Sequence, residues 1–149
     1  MAISTDAAIE FFGTQTSVVT TAAAITDGSF SATEDTFTNS DDAPQASAVL
    51  EVTFGSAPDD NSFIALYARL LNIEGVNDQS APVAEFLHVF LGNFPVDAVT
   101  SAQYVPIDIT LPNTKSSQEY EFYIQNKGGQ TISSGWDLFI TPKTLGPHA

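Results

Sequence analysis

Between Val105 and Leu111 the chain alternates strictly, with Val105, Ile107, Ile109 and Leu111 apolar and Pro106, Asp108 and Thr110 between them. A period of two puts successive side chains on opposite faces of an extended strand, whereas a helix would scatter these four around its surface. Pro106 lacks a backbone donor, so this strand belongs at a sheet edge or begins near the proline. The pattern returns twice. Tyr120, Phe122 and Ile124 face one way while Glu119, Glu121 and Gln125 face the other, and Trp136, Leu138 and Ile140 alternate with Asp137 and Thr141. The breaks between them, at Pro112 to Lys115 and at Asn126 to Gly129, are rich in turn-forming residues.

Upstream, Ala48, Leu50, Val52 and Phe54 alternate with Glu51 and Thr53, giving a further strand. Phe86 to Leu91 is apolar apart from His88 and reads as a strand buried on both sides. Phe63 to Ile73 fits a helix as well, through Phe63, Leu66, Tyr67 and Leu70 with Asn61 and Ser62 as caps. The turn residues Gly75 to Asp78 and the spacing to the next strand decide for a strand. The first 45 residues are less regular. Thr14 to Thr21 reads as a strand around Val18 and Val19, Ile25 to Thr38 alternates weakly through Phe30 and Phe37, and Asp6 to Phe12 suggests a helical turn or an N-terminal arm. This region is either a looser sheet edge or an extension that orders on a partner. The expected fold is all-β: one antiparallel β-sandwich domain of about eight strands over residues 1–149, with its main body in 46–145.

The surface of such a sandwich would be strongly acidic, since 18 Asp and Glu face only four basic residues, Arg69, Lys115, Lys127 and Lys143. The area expected for this mass is about 7,300 Å², roughly 400 Å² per acid. Evenly spread acids then lie ~20 Å apart, beyond the ~8 Å screening length of physiological salt, so the fold tolerates them. The same charge repels phosphate backbones and anionic lipid, which argues against nucleic-acid and membrane partners. The 30 Ser and Thr residues supply solvation that a charged fraction of 15% does not. The absence of cysteine excludes disulfides, a thiolate nucleophile and Cys-ligated zinc. Met1 to Asp6 lacks the basic and apolar regions of a signal peptide, and no apolar run approaches a membrane span of about 20 residues.

No catalytic kit is visible, and the expectation is a protein that is not an enzyme, with no cofactor. His88 sits in an apolar strand and His148 near the chain end, with no second histidine at ligand spacing. There is no G-x-S-x-G elbow and no phosphate-binding glycine loop. Glu119 and Glu121 share one strand face, which reads as its solvent face. Three acidic groups, Asp27 with Glu34 and Asp35, Asp41 with Asp42, and Asp59 with Asp60 and Asn61, raise calcium as a question, but no EF-hand pattern accompanies them. Trp136 with Tyr67, Tyr104, Tyr120 and Tyr123 offers material for a sugar-stacking platform, although Trp136 shares the core-facing side of its strand. Phe11 and Phe12 are the interaction candidates, adjacent aromatics in an irregular segment with no evident place in a core.

Three segments carry a resemblance: Asn61 to Ile73, Ala102 to Lys115, and Gln118 to Ile124 running on to Trp136 and Thr141 to Thr144. Over about residues 48 to 145 the chain resembles virion proteins of tailed bacteriophages, most closely the capsid decoration, or cement, proteins. Some of these are small jelly rolls that dimerise or trimerise on the outer shell. The resemblance implies a jelly-roll form of the sandwich, which strand spacing alone does not separate from an immunoglobulin-like one. It also implies synthesis in the host cytoplasm, a place on the capsid surface, and a role in clamping adjacent major capsid subunits. It carries no catalytic residues. A carbohydrate-binding sandwich, with or without calcium, and a phage tail component are the competing readings.

Overall fold

A computed structural model describes residues 8–83 and 89–147. Among them are nine strands and no helix: β1 (Ala8–Phe12), β2 (Thr16–Ser17), β3 (Thr36–Thr38), β4 (Gln45–Val52), β5 (Phe63–Leu71), β6 (Val89–Pro95), β7 (Gln103–Thr110), β8 (Glu119–Lys127) and β9 (Asp137–Pro147). They form two antiparallel sheets. One runs β1-β9-β4-β7, with β2 also on β9, and the other runs β3-β8-β5-β6. Because β1 and β2 pair with successive stretches of β9, they act as one strand interrupted at residues 13–15. The first strand then neighbours the last, and the second neighbours the one before last. That nested order is the jelly roll.

The alternating patterns supply the core. Ala46, Ala48, Leu50 and Val52 of β4 and Leu138 and Ile140 of β9 face Ile64, Leu66, Ala68 and Leu70 of β5 and Tyr120, Phe122 and Ile124 of β8, in one apolar cluster drawn from both sheets. Phe37 of β3 closes one side, its ring 5.8 Å from that of Phe122. Phe54, Ile132 and Trp136 close an end, where the indole Nε1 donates to the Ala23 carbonyl at 2.9 Å. Residues 63–71 are a strand, as the turn at residues 72–78 required. β7 lies at a sheet edge, the position that a proline within the strand calls for.

Local expectations change at four places. Ala8–Phe12 is an edge strand, the looser sheet edge and not the helical turn, because cross-strand pairing to β9 supplies the hydrogen bonds that its sequence does not advertise. Of the segment Phe86 to Leu91, residues 86–88, His88 included, lie outside the described residues; Val89 to Leu91 begin β6, an edge strand on which Phe90 is 54% exposed, so the expected burial on both sides fails there. The strand expected over residues 14–21 contracts to Thr16–Ser17. Finally, Glu121 and Gln125 are buried. The outer face of β5 and β8 is roofed by the loops around Phe30 and Ala81, which pack on Ala65, Tyr67 and Tyr123 as a second small apolar cluster. The ring of Phe30 lies 5.6 Å from that of Tyr67, and Thr33 bonds the Tyr123 hydroxyl at 2.9 Å.

Candidate interaction surface

β4 accompanies β9 only as far as Lys143, which pairs with Gln45. Beyond that point β9 pairs with β1 alone, Thr144 with Phe11, Leu145 with Glu10, Gly146 with Ile9 and Pro147 with Ala8. A two-stranded ribbon about 13 Å long therefore extends past the third strand of its sheet. Cross-strand partners share a face. Ile9, Phe11, Thr144 and Gly146 form one face, and Glu10, Phe12, Lys143 and Leu145 form the other. Phe11, Phe12 and Leu145 are 47%, 61% and 60% exposed. Both faces of the ribbon thus carry exposed apolar side chains, and the far edge of β1 has no strand beside it among the described residues.

Local packing fixes the two aromatics differently. The Phe11 ring lies across Gly146, where a Cβ would come within 2.7 Å of Phe11 Cε2, so the glycine makes room for it. An open groove of about 510 Å³ runs beside the ring, between the ribbon and the Asp41 to Ala43 turn, with Pro142 in its wall. Phe12 points to the other face, beside its partner Lys143. The Lys143 ammonium donates to Asp108 of β7 at 2.7 Å and to Glu10 of β1 at 3.4 Å. Asp108 foremost, then Glu10, holds the Lys143 pKa above the usual lysine range. This bridge anchors the base of the ribbon to the sheet and brings a positive charge beside Glu10, an acid among the exposed apolar residues.

Sequence reasoning picked out Phe11 and Phe12 but missed Leu145 and Ile9, the other apolar members. Leu145 falls on the polar side of the β9 alternation, with Asp137, Thr141 and Lys143, so the pattern gave no signal for it. The other candidate groups disperse. Glu119 accepts a hydrogen bond from Asn72, and Glu121 accepts from Arg69 and Tyr123, so each carboxylate is engaged by the chain itself. Glu34 accepts the successive backbone N–H groups of Thr20, Thr21 and Ala22 at 2.9, 2.8 and 3.2 Å. Ala22 takes a φ of 48°, and the turn it makes directs those donors inward as a small anion nest. Asp42 accepts from Ser117 N–H and the Ser116 hydroxyl, which together hold its carboxyl below the usual range. Asp27 accepts from Gly129 N–H at 3.0 Å. Among the described residues no three metal-ligating side chains converge.

The aromatic platform does not assemble either. Trp136, Tyr67, Tyr120 and Tyr123 are buried, on two different sides of a sheet, and only Tyr104 is exposed. His88 and His148 lie outside the described residues. Comparison with protein-family models, with curated proteins and with solved structures finds no match.

Proposed function

We propose that this chain is a non-enzymatic structural protein of a tailed-phage virion, which decorates the capsid and clamps adjacent major capsid subunits. The observation that carries the reading is the β1–β9 ribbon. A two-stranded ribbon is marginal by itself in water, and one with exposed apolar side chains on both faces gains most from a partner that covers it. A capsid surface can do so by packing on Phe11, Phe12 and Leu145 and by adding a strand to the free edge of β1. The bacteriophage-like segments in residues 48–145 and the jelly-roll strand order agree with this role.

The rest of the surface suits it as well. A charge of −14 keeps the protein off packaged DNA and complements basic patches on a shell, where it steers docking more than it adds affinity. Repetition around the shell multiplies weak contacts, and association of copies as dimers or trimers would add to that avidity. Purified protein mixed with capsids stripped of their decoration tests the reading, alongside mass spectrometry of purified virions. The reading requires co-sedimentation and a virion-borne chain. A protein that stays in the supernatant and is missing from virions would sink it.

A further inference from the structure

At the end of the sandwich where β5 begins and β6 ends lies an open groove of about 850 Å³, unrelated to the ribbon. Its volume is in the range of clefts that take small ligands. One wall is the ring of Phe63, which pairs with Pro95 across the sheet and is 37% exposed. Around it stand Asp60, Asn61, Asn93 and Asp97, all exposed. Among the described residues, their side chains form no hydrogen bond or ion pair with the chain. Asp97 spends its backbone N–H and carbonyl on the Gln103 amide, at 2.7 and 2.9 Å, and leaves its carboxylate free. This contrasts with Glu34, Asp42 and Glu121, whose carboxylates are taken up by internal donors. In the same groove the Ser62 hydroxyl is buried, on a residue 8% exposed, and has no hydrogen-bond partner.

An unpaired buried hydroxyl costs stability unless something supplies its bond. A ring with one apolar face, ringed by carboxylates that accept and amides that both donate and accept, matches a particular chemistry. A pyranose offers an apolar C–H face to stack on an aromatic ring and adjacent hydroxyls that donate and accept in pairs. No lysine or arginine lines the groove. The two carboxylates therefore repel sialylated, sulfated or phosphorylated sugars. They are also too few to hold a cation without further ligands. We propose that this groove binds a short neutral oligosaccharide directly, with Phe63 as the stacking residue and Asn93 and Asp97 as hydroxyl-binding residues. The site is independent of the capsid reading and sits apart from Phe11 and Phe12.

The test is an array of immobilised neutral gluco-, galacto- and manno-oligosaccharides with their sialylated and sulfated counterparts, probed with and without EDTA. Wild-type protein should bind neutral members equally well in chelator and ignore the anionic ones. Asn93→Ala and Asp97→Ala, both at exposed positions, should each weaken binding at least tenfold with an unchanged melting temperature. Phe63→Ala should abolish it, and Phe12→Ser should leave it intact. The proposal is overturned by retention of no neutral member, by preference for anionic members or by loss of binding in EDTA. Undiminished binding by both Asn93→Ala and Asp97→Ala overturns it as well. None of these results bears on attachment through the ribbon.

Discussion

Arg69 and Glu121 stand directly opposite each other on β5 and β8, with Arg69 Nε 2.5 Å from Glu121 Oε2 beneath the loop roof of the outer face. The same oxygen accepts the Tyr123 hydroxyl at 3.0 Å, and the guanidinium also donates to the Gln79 carbonyl at 3.3 Å. Side-chain exposures of 21% and 11% make this a largely desolvated pair. It ties both strands to the loop after β5.

Removing one partner strands the other charge. Arg69→Met should cost about 2–4 kcal/mol in urea unfolding, whereas Arg69→Met with Glu121→Met should recover most of the loss. A double variant no more stable than the single one would show that the pair contributes more than its desolvation costs.

Glu34 organises the loop before β3 through three backbone donors. Glu34→Ala leaves them with solvent alone, and a loss of about 1–3 kcal/mol is expected. Amide exchange should accelerate at Thr20, Thr21 and Ala22 more than in β4 or β8. Uniform acceleration across the sheets would instead mean that the loop holds the whole fold.

Burial pushes the Tyr120 phenol up, and burial foremost does the same for Tyr123. The unfolded chain loses these protons near the ordinary value of 10.0, while the folded protein retains them. Above that pH the unfolded state binds fewer protons, so stability falls as the pH rises. Tyr120→Phe should flatten this alkaline decline. At neutral pH it should cost about 1–3 kcal/mol, because the hydroxyl lies 2.7 Å from the Pro112 carbonyl and 2.6 Å from Asn113 Oδ1. An unchanged alkaline slope in the variant would contradict the assignment.

Phe11 and Phe12 should behave as binding residues, not core residues. Phe12→Ser alters a side chain that is 61% exposed and should shift stability by less than about 1 kcal/mol. The same variant should reduce capsid co-sedimentation at least tenfold. Unfolding of Phe12→Ser at ordinary temperature would show that the ribbon is a stability element of the sandwich.

The strands that alternate on one buried face were legible in advance. β4, β7, β8 and β9 show a period of two because one side meets the opposite sheet, and the turn at Gly75 settled β5. What escaped the sequence is pairing that depends on distant chain. β1 carries exposed side chains on both faces and takes its shape from β9, some 130 residues away. Glu121 and Gln125 look solvent-facing in the pattern, yet loops from residues 30 and 81 cover them, and no local signal encodes that cover. Phe11 and Phe12 stood out as adjacent aromatics in a segment that read as irregular, and both are exposed on opposite faces of β1. Leu145 was hidden beside Gly146 and Pro147, which read as the end of the strand.

Hydrogen–deuterium exchange on the protein free and bound to capsids tests the central claim most directly. The account predicts new protection concentrated at the amides of residues 8–12 and 144–146, with the β5 and β8 core unchanged. Protection confined to the opposite end of the sandwich, around residues 60 and 97, with the ribbon amides exchanging as in the free protein, would contradict it.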